Sequence, residues 1–307
     1  MVSPRAAGQN GRIPSIGDAD RVARLARQAS MSRTFEVSFE FFPPRTDAGR
    51  EKLSATRDAL MTKNPEFCSV TFGAGGSTRD RTLETVLELR DGGVDAVPHL
   101  SCISSDKQEL RELLARYREL GIRRIVALRG DIPSGQGGGG ELRYASELIE
   151  LIRGEHGDHF ELLAAAYPEM HPQARDFESD LRFFAAKMKA GASRAITQYF
   201  FDAEAYFHFV ERVRALGVEA PIIPGIMPVT QFESLVRFSD VCGAGVPRWI
   251  RKQLEAYGDD QESVRAFGHE LVSRLCERLI EGGAPGLHFY TLNQASPSLR
   301  ILDALGR

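Results

Sequence analysis

From residue 34 to the end, short apolar runs with strand character alternate with helix-patterned stretches eight times over. That alternation confines the chain to parallel βαβ construction. The strand candidates are 34–42, 66–72, 96–103, 123–129, 160–167, 194–201, 220–227 and 286–292, and the helical patterns between them include 50–62, 80–91, 106–120, 142–153, 176–190 and 203–215. Eight units favour a closed (β/α)8 barrel of the TIM type over an open, doubly wound sheet. An open sheet usually has fewer strands, and one that held a dinucleotide would carry a glycine fingerprint after its first strand. None follows 34–42. Gly137 to Gly140 are glycine-rich but follow no strand directly, and read as a flexible loop.

Helix ends are marked in the sequence. Ser105 or Asp106 before Glu109, and Asp202 before Ala203, are positioned to accept hydrogen bonds from first-turn amides. Gly121, Gly191 and Gly217 sit where a left-handed residue stops a helix. The interval between the seventh and eighth strands is about twice the usual spacing and holds two or three helices, including 232–240 and 261–280, as an embellishment of the barrel. Trp249 lies in it and reads as a packing anchor. Residues 1–33 read as a tail with a short amphipathic helix over 17–29, built on Val22, Leu25, Ala26 and Ala29, and 34–307 as one catalytic barrel.

Composition excludes several functions. The formal net charge of -3, with 39 Lys and Arg against 42 Asp and Glu, argues against a nucleic-acid partner. No apolar run approaches the roughly 18 residues of a membrane span, and no signal-peptide core is present, so a cytoplasmic protein is expected. Cys68, Cys102, Cys242 and Cys276 are widely spaced, without CxxC pairs, and read as reduced structural thiols.

Barrel active sites form at the carboxyl ends of the strands. The polar residues there are Glu40, Thr71, His99, Arg129, Asp131, Tyr167 with Glu169 and His171, Gln198, and Tyr290 with Asn293. Glu40 ends a run of aromatic and apolar residues, a setting that disfavours an ionised carboxyl and suits a proton donor. The competing reading is a strand-end carboxylate that reaches water or an arginine. His99 and His171 lack the spacing of a metal site, so no metal is expected, and no lysine ends a strand to form a Schiff base. Asp180 and Lys187 stand seven apart on one predicted helix, about 10 Å along one face. They suit the ribose hydroxyls and phosphates of a dinucleotide, or are scattered charges on an exposed helix.

Four segments occur in order: Ser38-Phe39-Glu40-Phe41-Phe42-Pro43-Pro44, Thr71-Phe72-Gly73-Ala74-Gly75-Gly76, Ala127-Leu128-Arg129-Gly130-Asp131 and His288-Phe289-Tyr290-Thr291-Leu292-Asn293. With Ala165-Ala166-Tyr167-Pro168-Glu169 and Ile196-Thr197-Gln198 they resemble the bacterial methylenetetrahydrofolate reductase family over about residues 34–304. The resemblance implies an FAD-dependent barrel that reduces 5,10-methylenetetrahydrofolate to 5-methyltetrahydrofolate, ping-pong, with NADH or NADPH as donor and hydride passing through flavin N5. It implies Glu40 as general acid and Asp131 beside flavin and pterin, two carboxylates set apart by environment. Thr71, Phe72, Ala74, His99, Leu128, Arg129, Gly130, Asp131, Tyr144, Ala145, Tyr167, His171, Asp180 and Lys187 match positions that hold FAD. Gln198, Phe238, Tyr290 and Gln294, with Glu40 and Asp131, match the substrate side, Phe238 stacking on whichever substrate is present. A homodimer or homotetramer is implied, and inhibition by S-adenosylmethionine is not expected.

The chain departs from the family pattern at Phe72, where tyrosine is frequent, at Ala186, where a basic residue is common, and at Gln294, where arginine is usual. These changes bear on cofactor and folate affinity. A flavin-free barrel lyase or aldolase using Glu40 and Asp131, and a folate-binding scaffold without catalysis, are the alternatives.

Overall fold

The structure is a computed structural model, and it describes residues 35–72, 79–103, 105–130 and 140–307. Every strand candidate becomes a strand: β1 (Glu36–Phe41), β2 (Phe67–Val70), β3 (Ala96–Ser101), β4 (Arg124–Leu128), β5 (Glu161–Ala166), β6 (Arg194–Tyr199), β7 (Ile222–Ile226) and β8 (Gly286–Tyr290). They pair in parallel, in chain order, and close into a barrel. Closure is the β8 to β1 ladder, with Glu36 opposite Gly286 and Glu40 opposite Tyr290. A closed sheet has no unpaired edge.

Ten helices cover the outside among the described residues: α1 (Asp47–Met61), α2 (Arg79–Asp91), α3 (Lys107–Glu119), α4 (Ala145–His156), α5 (Phe177–Lys189), α6 (Ala203–Ala215), α7 (Phe232–Cys242), α8 (Arg248–Tyr257), α9 (Gln261–Glu281) and α10 (Ala295–Ala304). Asp106, not Ser105, caps α3, accepting from the Glu109 amide at 2.7 Å. Asp202 caps α6 through the Glu204 amide at 3.0 Å. Gly121, Gly191 and Gly217 all have positive φ where their helices end. The interval between β7 and β8 holds three helices. None of the described helices is long and apolar enough to cross a membrane.

Three expectations change. The first helix starts at Asp47, three residues before the expected Arg50, because Thr46 caps it, accepting from the Gly49 amide at 3.1 Å. The fourth helix starts at Ala145, three residues after the expected Leu142, because the Glu147 carboxylate accepts from the Tyr144 amide at 3.0 Å and the Arg143 amide at 2.6 Å and sets its first turn there. Trp249 is no packing anchor: it is 59% exposed and meets Phe267 edge-on, while Ile250 and Leu254 of the same helix take the inward face. The helix proposed for 17–29 and most of the glycine-rich run lie outside the described residues, as do Ala74 and Asp131.

Successive residues of a strand face opposite sides of the sheet, so alternate side chains fill the barrel. Three levels result. At the amino end, Arg124 meets Glu66, Asp95 and Glu161, and Arg194 meets Glu36, Glu66 and Glu161, all within 3.2 Å. Above lie Phe67, Val97, Val126, Leu163 and Ile196, an apolar cluster separate from the core between strands and helices. The upper level carries Glu40, His99 and Tyr290.

Candidate active site

Glu40 sits two residues along β1 from Ser38, on the same inward face. It is 8% exposed. Its Oε2 lies 3.5 Å from His99 Nε2 and 3.7 Å from His288 Nε2, contacts that cross the interior from β3 and β8. Both imidazole nitrogens are buried without a hydrogen-bond partner. The other nitrogen of His288, Nδ1, is 2.8 Å from Ser38 Oγ. Burial holds the His99 imidazole below its ordinary pKa, against the pull of Glu40, so it is neutral near pH 7. The Tyr290 phenol donates to the Thr197 carbonyl at 2.7 Å, and burial, with Glu40 nearby, keeps it protonated. The main chain of Glu40 is fixed as well, its carbonyl accepting from Thr291 Oγ1 at 2.6 Å.

A cavity of about 420 Å³ opens over the carboxyl ends of β4 and β5. Phe72 follows β2, Leu128, Arg129 and Gly130 end β4, Tyr144 and Ala145 begin α4, Tyr167 and His171 follow β5, and Asp180 and Lys187 project from α5; all ten line this cavity. Asp180 and Lys187, seven apart in sequence, therefore share one wall. Asp180 Oδ2 accepts from the His171 amide at 2.8 Å. The Lys187 ammonium donates to the Ala165 carbonyl and lies 5.5 Å from the Phe184 ring centroid. Burial pulls its pKa down to about 8, with Asp180 opposing the shift and Arg129 adding to it. Arg129 Nη2 also donates to Gln173 Oε1 at 2.6 Å. Gly130 has φ +89°, and a Cβ there would stand 1.8 Å from Ser101 Oγ, so backbone and wall meet where only glycine fits. Aromatic rings, two cations and a carboxylate around one hollow suit a phosphate-bearing ligand with a planar ring.

Thr71, His99, Gln198, Phe238, Tyr290 and Gln294 do not line the cavity. His99 and Tyr290 belong to the Glu40 cluster. The Thr71 carbonyl accepts from Thr82 Oγ1 at 2.9 Å, and Gln198 Oε1 accepts from the Tyr199 amide at 3.0 Å. Phe238 is half-buried on α7 with the Arg237 guanidinium 5.6 Å from its ring centroid, and Gln294 is exposed at the start of α10. Sequence reasoning missed His288 as a partner of Glu40 and Ser38 as the partner of His288. Their signal was polar residues at inward positions of otherwise apolar strands.

A (β/α)8 barrel with a buried acid at the mouth and a nucleotide-sized hollow beside its strand ends has the form of a barrel enzyme. A family model described as methylenetetrahydrofolate reductase matches residues 24–306. The chain is 42% identical over 279 residues to 5,10-methylenetetrahydrofolate reductase of Pectobacterium carotovorum, covering 91% of this chain and 92% of that protein. Against the Escherichia coli K12 protein of the same name it is 41% identical, covering 91% and 93%. Methylenetetrahydrofolate reductase (NADH) 1 of Arabidopsis thaliana is 36% identical over an alignment of 301 residues that covers 94% of this chain and 50% of that protein. A solved Clostridium thermocellum protein, described as uncharacterized and binding two copies of 5-methyl-5,6,7,8-tetrahydrofolic acid, shares the fold with a TM-score of 0.63 at 18% identity, over 92% of this chain and 96% of that one. This chain belongs to the methylenetetrahydrofolate reductase family.

Proposed function

We propose that this protein reduces 5,10-methylenetetrahydrofolate to 5-methyltetrahydrofolate with FAD as cofactor and NADH or NADPH as donor, the two substrates alternating in a ping-pong sequence at one barrel mouth. The observation that carries the reading is Glu40, enclosed between His99 and His288 at the carboxyl end of β1. Bound FAD would supply a two-electron carrier between nicotinamide nucleotide and folate. The donor set of the cavity fits it: Arg129 and Lys187 would hold phosphates, Asp180 would hold hydroxyls, Phe72, Tyr144, Tyr167 and His171 offer ring faces, and Leu128, Gly130 and Ala145 would allow close approach. Thr71, Ala74, His99 and Asp131 complete the positions assigned to the cofactor from the family likeness.

Glu40 gives a proton to the folate nitrogen that leaves as the five-membered ring opens. The Ser38 hydroxyl can donate to His288 Nδ1 or accept from it, so His288 Nε2 can face a protonated or an ionised Glu40 with the complementary tautomer. Neutral His99 excludes water from the other side without adding charge. Asp131, next after Gly130, steadies the cation that develops on the opened folate. Gln198, Phe238, Tyr290 and Gln294 hold the folate, with Phe238 stacking on either substrate.

Absorbance tests the proposal. Purified or FAD-reconstituted protein is expected to show an oxidised flavin spectrum that NADH or NADPH bleaches anaerobically and methylenetetrahydrofolate restores, with 5-methyltetrahydrofolate as product. Protein that takes up no flavin, or whose reduced flavin ignores methylenetetrahydrofolate, refutes it.

A further inference from the structure

The loop after β5 and the connection between α7 and α8 meet at two glycines. Gly243 ends α7 with φ +71°, and a Cβ there would lie 2.4 Å from Pro172 Cγ. Gly245 donates its amide to Glu169 Oε2 at 2.7 Å, and a Cβ on it would stand 2.7 Å from Glu169 Oε1. Met170, next to Glu169, holds φ 156°, a conformation non-glycine residues rarely adopt and keep only where surroundings enforce it. Burial raises the pKa of the half-buried Glu169 carboxyl, and the Gly245 amide opposes that shift.

The two sides are held unequally. The β5 loop has its own anchors in the His171 amide on Asp180 at 2.8 Å, the Ala174 amide on the His171 carbonyl at 2.8 Å, and Arg129 on Gln173 at 2.6 Å. Helix α7 is tied to the barrel within its length by Ser239 Oγ, 3.0 Å from the Tyr199 hydroxyl. Its carboxyl end rests on Glu169 through Gly245. Phe238 adjoins the Ser239 tie on its amino side, seven residues before Gly245.

We propose that Glu169 is a positioning residue whose carboxylate fixes the carboxyl end of α7, and with it Phe238, against the loop that lines the cavity, so that it governs uptake of both substrates and not retention of the cofactor. This rests on the reading of Phe238 as the ring on which substrates stack. Losing the bond frees the carboxyl end of α7 to swing about the Ser239 tie, while the β5 loop keeps its own anchors.

Hydrogen exchange and steady-state kinetics on the full-length holoprotein test it. Glu169→Ala is expected to speed exchange of the α7 amides about tenfold, the equivalent of one hydrogen bond to a charged group, with α5 unchanged. The KM values for methylenetetrahydrofolate and for NADH are expected to rise about threefold to tenfold, with kcat changed less than about twofold and the FAD dissociation constant unaltered. Glu169→Gln keeps an oxygen that accepts from Gly245 and is expected to restore most of both effects. Gly245→Ala is expected to reproduce them, and the double variant to be no worse than either single one. Unchanged α7 exchange, unchanged KM values beside altered exchange, Glu169→Gln as impaired as Glu169→Ala, or loss of FAD would each overturn the assignment. Wild-type protein that takes up no flavin would fail the functional reading alone, because α7 exchange is measured without reference to it.

Discussion

Asn293 grips the main chain of Phe42 at both ends of its amide: Phe42 N donates to Oδ1 and Nδ2 donates to the Phe42 carbonyl, each at 2.9 Å. The turn after β8 is thereby locked to the strand end that carries Glu40. Leu292 and Asn293 both have left-handed φ, 50° and 54°, a cost offset by this clamp. Asn293→Ala removes both bonds and is expected to lower stability by about 2 kcal/mol. Asn293→Asp keeps the acceptor but sets a second oxygen against the Phe42 carbonyl, and should lose at least as much. Urea midpoints with unchanged m-values check this pair.

The two half-reactions separate the work of Glu40. Glu40→Gln keeps the shape but lacks the transferable proton, so folate reduction is expected to fall at least ~100-fold while flavin reduction by NADH stays within about threefold. Stopped-flow absorbance reads each half alone, and equal damage to both would contradict the assigned proton.

Lys187 gives a pH signature. Its pKa falls from 10.5 in the unfolded chain to about 8 in the folded one, chiefly through burial. Below about 8 the ammonium is charged in both states and its burial destabilises the folded form. Between about 8 and 10.5 the unfolded chain binds more protons, so rising pH favours folding. Lys187→Met is expected to be more stable than wild-type apoprotein near pH 7, and the gap to narrow by about pH 10, in urea titrations. ADP should stabilise the wild type more than the variant if Lys187 holds a phosphate as proposed.

At the amino end, Arg194 serves Glu36, Glu66 and Glu161 together. Arg194→Met leaves three carboxylates crowded and partly buried, and is expected to lower stability by about 2 to 3 kcal/mol at neutral pH. Burial and then Glu66 hold the Glu36 carboxyl above the ordinary range. The loss should therefore shrink toward about pH 4, as the crowded acids take up protons. Urea midpoints of both proteins across that range are the measurement.

The barrel was legible because its signals are local: a short apolar run, a capping Asp106 or Asp202, a stopping Gly121 or Gly191. Strand-end placement brought Glu40, His99 and Tyr290 into one cluster, and the helical seven-residue interval placed Asp180 and Lys187 on one wall. What escaped depends on pairings far apart in the chain. The Ser38–His288 contact spans 250 residues, and the Glu169–Gly245 contact spans 76. The amino-end charges had a visible signature, since Glu36, Arg124, Glu161 and Arg194 each open a strand. Sequence alone leaves open whether such charges meet inside the barrel or face water. Trp249 failed similarly: size does not say which way a side chain turns, and here Ile250 and Leu254 supplied the apolar face.

The ionic floor of Arg124, Arg194 and their acids, with the apolar layer above it, makes the barrel a blind well. A molecule that enters past Glu40 has no rear exit through those two layers and must back out by its own route. Two reactants that need the same depth would be compelled to queue, one leaving before the other enters.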